Sequence, residues 1–321
     1  VIRTFGLCSA FAFVFLSAFT CAVSFAQSNG VEVVSSKRWL LLGCGLPGDE
    51  MHRERLTTAC SQIIDSIDQI GVSTSNLVVL VGDQQMHEQL ARRGLKIELC
   101  TKELLQQSIA HISQHSNSHD ECWIILLGHA HLYDRTSQFN IAGPDVDQKE
   151  FAAYLEKLPN IQQVLWLTFP VSGHWIKPAS SPNRTVITAT EADLEFTGTE
   201  MPYSLAKAIS RTESILKDVD GDNRLTLFDL YVSSSLHVAD QFLKQERLQT
   251  EHSLLDDNGD GRGTELQASY LKQKLESSLD PPPEGDTALQ NVTASISAVP
   301  KQSPIPSGSD GWLSQRILLR P

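Results

Sequence analysis

The run Trp123-Ile124-Ile125-Leu126-Leu127, which leads directly into Gly128-His129, restricts the fold more than any other stretch. Strands covered by helices on both faces read as unbroken apolar runs, whereas half-exposed strands alternate. A buried parallel strand is therefore expected at 121–129. Open α/β sheets place their chemistry just beyond the carboxyl ends of the strands, so His129 falls where a catalytic base would sit. The plainer reading is that His129 and His131 only close the strand as polar residues.

Similar runs recur along the chain. Lys37–Cys44, Asn76–Gly82, Val164–Phe169 and Arg184–Thr190 read as further strands, with Leu95–Leu99 as a short edge strand. Between them Leu56, Cys60, Ile63, Ile64, Ile67 and Ile70 keep the three-and-four spacing of one apolar helical stripe, which Gly71 ends. Leu104, Leu105, Ser108, Ile109 and Ile112 form a second stripe behind a Thr101 cap. Asp147 with Glu150 makes a capping-box start for the helix carrying Phe151, Tyr154, Leu155 and Leu158, and Met201–Arg211 returns to helix. Alternating strands and helices joined by short loops predict an α/β fold with a mostly parallel sheet covered on both faces. The ends of strands 121–129 and 164–169 should be neighbours, which brings Pro170-Val171-Ser172-Gly173-His174 to the edge where His129 lies.

A net charge of −12 argues against nucleic acid and anionic membrane surfaces, both of which select Lys and Arg. Arg3, the apolar stretch from Phe5 to Val23 and the small residues of Ser24-Phe25-Ala26 predict a cleaved export signal at 1–26. The expected location is secreted or periplasmic, with no stable membrane span after cleavage; an uncleaved anchor, or lipidation at Cys21, would also mean export. Cys44, Cys60, Cys100 and Cys122 remain after the leader, either as a disulfide framework or as small buried thiols.

Taken together, 37–211 resembles the legumain-type cysteine peptidases of the caspase-like fold. The resemblance is carried by Arg38–Leu42 as first strand, Thr57-Thr58-Ala59-Cys60 through Ile63-Ile64 as first helix, Gly71-Val72 and Asn76–Leu80 as second strand, Ile124–His129 as the histidine strand, and Val186–Thr190 as the strand after the nucleophile. It implies a three-layer αβα sandwich in which His129 is the general base. It also places a cysteine nucleophile two residues before the serine of a Ser-Gly pair, which here is Pro170, or two before the glycine, which here is Val171. Neither side chain can attack a carbonyl, and Ala130 stands where the family has glycine. The expectation is a pseudoenzyme that keeps the base, has lost the nucleophile and binds a peptide or protein ligand. The alternatives are a hydrolase using Ser172 with His129 or His174, and a metal held by His129, His131 and His174 with Asp49 or Glu50.

The strictest spacing lies at Asp218–Asp229, DVDGDNRLTLFD. Oxygen ligands fall at loop positions one, three and five (Asp218, Asp220, Asp222), seven (the Arg224 carbonyl), nine (Thr226) and twelve (Asp229), the set that a hard Ca²⁺ ion requires in an EF-hand-like loop. Asn223 replaces the usual turn glycine, which its tolerance of the left-handed region allows. A helix bearing Leu227, Leu230, Tyr231, Ser234 and Val238 should follow, giving a helical appendage over 212–279. Asp256–Asp260 opens like a second calcium loop but has Gly263 and Gln267 at its eighth and twelfth positions. From 280 to 321 the Pro/Ser-rich composition predicts a disordered tail.

Overall fold

The computed structural model describes residues 36–91, 94–158, 160–192, 198–268 and 305–319. The predicted export signal at 1–26 and the first part of the predicted tail, 280–304, lie outside the described residues.

The chain runs β1 (Arg38–Cys44), α1 (Glu50–Asp65), β2 (Leu77–Val81), α2 (Gln84–Ala91), β3 (Ile97–Leu99), α3 (Lys102–His115) and β4 (Glu121–Leu127). A hairpin and short third strand follow, β5 (Ala130–Tyr133), β6 (Thr136–Phe139) and β7 (Val146–Asp147). Then come α4 (Gln148–Leu155), β8 (Gln162–Leu167), α5 (Ile176–Ala179), β9 (Arg184–Thr188), α6 (Met201–Ile209), α7 (Leu227–Lys244) and β10 (Leu254–Asp256). The main sheet has the order β10-β9-β8-β4-β1-β2-β3, and every pairing in it is parallel except that of β10 with β9. β4 pairs with β8 in register from Glu121↔Gln162 to Leu126↔Leu167, so the two strand ends predicted to be neighbours are neighbours.

Pleating divides the core into two layers. Leu40, Leu42, Cys44, Trp123, Ile125 and Trp166 face α1, α6 and α7, whereas Trp39, Leu41, Ile124, Leu126 and Leu165 face α3, α4 and α5. Each residue from Trp123 to Leu127 is completely buried, worth about 1.5–3 kcal/mol per large aliphatic side chain, which puts this run at the centre of the sheet and not at an edge. Local capping agrees with the spacing that announced it. The Thr101 hydroxyl accepts the Leu104 N–H, Gly71 ends its turn at φ 68°, and the Asp147–Glu150 capping box is complete.

The structure decides one open alternative and corrects the sequence reading in two places. The four cysteines are free and buried, because Cys44, Cys60, Cys100 and Cys122 serve as core packing. The helix after the acidic loop is not an appendage: Leu227, Phe228, Leu230, Tyr231, Val232, Val238 and Phe242 of α7 belong to the same apolar cluster as β1 and α1. Residues 305–319, assigned by composition to a disordered tail, pack against α7 with Ile317 and Leu319 buried. Their backbone joins the acidic loop, Leu227 N–H donating to Ile317 O and Leu319 N–H to Leu225 O, both at 2.8 Å.

Arg38 ties these parts together. It is 2% exposed, and its guanidinium reaches Glu121 of β4, the Ile70 carbonyl behind α1 and the Leu318 carbonyl of the terminal segment, while lying 4.6 Å from the centre of the Trp123 ring.

Candidate functional site

The carboxyl ends of β1, β4 and β8 form the edge where the candidate site is built. Backbones approach closely there: Gly45 N–H donates to Leu127 O at 2.8 Å, and a Cβ on Gly82 would lie 2.0 Å from the Gly45 carbonyl oxygen, so only glycine fits. Gly128 turns the chain at φ 140°, and His129 follows. Its Nε2 lies 3.1 Å from the Pro47 carbonyl. A carbonyl only accepts, so Nε2 carries the proton and Nδ1 keeps the lone pair. Burial lowers the His129 pKa, and neighbouring His52 adds to this against the opposing Pro47 carbonyl and Asp49. Burial thus favours the neutral ring, in which Nδ1 is the basic nitrogen.

His52 is the residue that the sequence reading missed. It sits in the first turn of α1, where N-cap Asp49 accepts from both the His52 backbone N–H at 2.8 Å and its Nδ1 at 2.9 Å. Those bonds, backbone first, lower the Asp49 pKa. The His52 and His129 rings meet edge to face with centroids 4.8 Å apart. An aspartate three residues before a histidine at a predicted helix start was the available signal.

On the other side of the edge the chain presents Pro170 and Val171 at the two positions that the resemblance assigns to a nucleophile. Thr168 donates to Leu126 O at 2.9 Å, after which Phe169, Pro170 and Val171 turn into the core. Val171 has φ 54°, a left-handed conformation that costs a β-branched residue on the order of 1–3 kcal/mol and persists only where the surroundings impose it. Ser172 is completely buried. Its Oγ accepts from Ala189 N–H at 3.1 Å and Thr190 N–H at 3.2 Å, and its own N–H donates to Thr190 Oγ1 at 3.0 Å. This hydroxyl latches the end of β8 to that of β9. Gly173 is required beside it, because a Cβ would lie 2.4 Å from the Ala192 nitrogen. Nor do His129, His131 and His174 gather around an ion. His131 is exposed and bonded to Asn140 at 2.7 Å, and the metal-competent group of three or more acidic, histidine or cysteine side chains among the described residues lies elsewhere.

That group is Asp218, Asp220 and Asp222, whose carboxylate oxygens lie within 4.8 Å of one another. The loop is wound by its own side chains. Asp218 accepts from the N–H groups of Gly221 and Asn223, Asp220 from Asp222, and Asp222 from Arg224, with Asn223 at φ 62° as its composition allowed. Burial raises the Asp220 pKa, and the charges of Asp222 and Asp218 add to it, a repulsion that a cation would relieve. Asp229 and Thr226 are engaged otherwise. Thr226 caps α7, and both Asp229 oxygens are taken, one by Val219 N–H and the other by the Thr226 N–H and hydroxyl, each at 2.8 Å. Burial pushes Asp229 up to about 6.

The second acidic loop repeats this winding. Asp256 accepts from Gly259 and Gly261, Asn258 from Asp260, and Asp260 from Arg262. Its twelfth residue, Gln267, bonds to the Tyr231 hydroxyl and the Ser253 carbonyl and so braces α7.

No protein-family model matches this chain, and no curated protein matches it. Among solved structures it is similar to the Drosophila initiator caspase Dronc, at 14% identity over 69% of this chain and 79% of that one with a TM-score of 0.41. It is likewise similar to caspase-1 from Spodoptera frugiperda, at 8% identity over 69% of this chain and 86% of that one with a TM-score of 0.42. Among the described residues, no helix is long and apolar enough to cross a membrane. The chain is an α/β protein with helices packed around a mixed sheet, and it carries an aspartate cluster able to hold a metal ion.

Proposed function

We propose that this is an exported caspase-like pseudoenzyme that binds a peptide or protein ligand at the His129 edge and a calcium ion at Asp218–Asp222. The observation that carries the reading is the pairing of an oriented base with an empty nucleophile corner. His129 keeps its tautomer through Pro47, while the adjacent strand end offers Pro170, a strained Val171 and a Ser172 whose hydroxyl is buried in structural bonds. The burial and bonding of Ser172 weigh against the serine-hydrolase alternative. The purified protein should not cleave peptides after Asn, Asp or basic residues, with or without thiol alkylation. Turnover that disappears in His129→Ala would overturn the pseudoenzyme reading.

An all-oxygen donor set suits calcium better than it suits an imidazole-preferring ion, and a loop whose twelfth carboxylate is already held by Val219 and Thr226 should bind it weakly, at about 10⁻⁴–10⁻³ M. At ten times Kd the folded state gains about 1.4 kcal/mol, roughly 3–5 °C in Tm for a unit of this size. Calorimetry and thermal melts in millimolar Ca²⁺ should show this gain, and Asp218→Ala with Asp222→Ala should abolish it. Absence of heat and of any Tm change in the wild type would leave the loop as a turn only.

A further inference from the structure

We propose that Gln315, on the terminal segment, is a further oxygen ligand of the cation at Asp218–Asp222, so that binding the ion and docking 305–319 are one coupled event. This rests on the calcium reading above and extends it to a residue 95 positions from Asp220.

Ca²⁺ takes about 6–8 oxygen ligands at about 2.3–2.6 Å. The loop alone offers only part of that set. Asp218, Asp220 and Asp222 converge, and the Arg224 carbonyl stands at loop position seven. Thr226 and Asp229 are instead committed to each other and to Val219 at the start of α7. From outside the loop the Gln315 side chain reaches the cluster, its Nε2 lying 3.3 Å from Asp220 Oδ2. Two ligands that subtend about 70–90° at one Ca²⁺ ion lie about 2.8–3.4 Å apart, so the amide already stands at the separation of neighbouring ligands. A primary amide exchanges its NH₂ for its carbonyl oxygen by a half-turn about the Cγ–Cδ bond. Without a cation the NH₂ donates to Asp220; with one, the carbonyl oxygen faces the ion.

The segment is placed to respond. It is joined to the same loop by Leu319 N–H to Leu225 O and Leu227 N–H to Ile317 O, both at 2.8 Å, and its Leu318 carbonyl accepts from Arg38 of β1. A ligand contributed by the segment makes the ion favour the docked state, and by reciprocity the docked state favours the ion.

The test is calorimetric Ca²⁺ titration of the full chain and its Gln315 variants, with Tb³⁺ luminescence lifetimes in H₂O and D₂O to count the waters on the bound ion. Gln315→Ala should weaken Ca²⁺ binding about tenfold and add one water to the Tb³⁺ ion, while its melting temperature without calcium stays at the wild-type value. Gln315→Glu should bind more tightly than the wild type, because it keeps an oxygen and adds charge. If Gln315 served only as an N–H donor to Asp220, the same variant would bind more weakly. At ten times the wild-type Kd, exchange of the Leu319 amide hydrogen through undocking of the segment should slow about fivefold in the wild type and not at all in Gln315→Ala. A wild type that gives no heat with Ca²⁺ would overturn this proposal together with the calcium reading. Binding and water count unchanged in Gln315→Ala, or binding weakened in Gln315→Glu, would overturn this proposal alone and leave the calcium reading standing.

Discussion

A chain ending at residue 304 will fail to hold the native fold. Removing 305–319 takes away Ile317 and Leu319, both buried against α7, and large-to-small loss at such sites costs about 2–5 kcal/mol each. It also strips partners from groups that cannot turn to water. Asp257 loses the Gly311 and Ser314 N–H donors, Leu227 N–H loses its acceptor, and Arg38 loses the Leu318 carbonyl. The combined loss approaches the whole stability of an ordinary domain, about 5–15 kcal/mol. Circular dichroism and limited proteolysis should show a chain that is unfolded or cleaved throughout, whereas Leu319→Ala alone should give a graded drop in Tm. A truncated chain that melts cooperatively near the wild-type Tm would show that the segment is decoration.

Arg38→Met should be the most damaging single substitution on the sheet. It leaves the Ile70 carbonyl without its guanidinium donor in the interior and a partly buried Glu121 without its counter-charge. Breaking a buried ion pair from one side costs about 3–5 kcal/mol, which for a unit of this size lowers Tm by about 10 °C or more. Lysine should not rescue it, because one ammonium cannot reproduce a planar fork that bonds β4, the turn after α1 and the terminal segment at once. A denaturant midpoint in Arg38→Lys equal to that of the wild type would refute this account.

Much of the fold was legible where one residue type forces one local structure. The runs at 39–42, 123–127 and 164–167 became central strands because only double coverage buries unbroken apolar residues, and Thr101 and Asp147 capped their helices because cap chemistry is local. The hairpin β5–β6 was not foreseen. Its strands are half exposed, and its turn runs through Asp134 and Arg135 at positive φ, with none of the glycine that usually announces such a turn. At the candidate site the base was named from its strand, but the missing partner His52 lies 77 positions away, on a helix whose apolar stripe says nothing about its first turn.

By itself, then, the sequence determined the parallel sheet, the position of His129 at its edge, the Pro170-Val171 pair at the end of the neighbouring strand, and the triad of aspartates at 218, 220 and 222. These depend on composition, on a missing side-chain group and on spacing within a few residues. Only the tertiary structure decided that Ser172 is a latch, that Asp229 braces a helix end, that His52 faces His129 and that 305–319 completes the core. Each of those outcomes is a choice among partners far apart in the chain. A hydroxyl or carboxylate can satisfy its hydrogen bonds in many ways, so its role is set by what folding brings within about 3 Å of it.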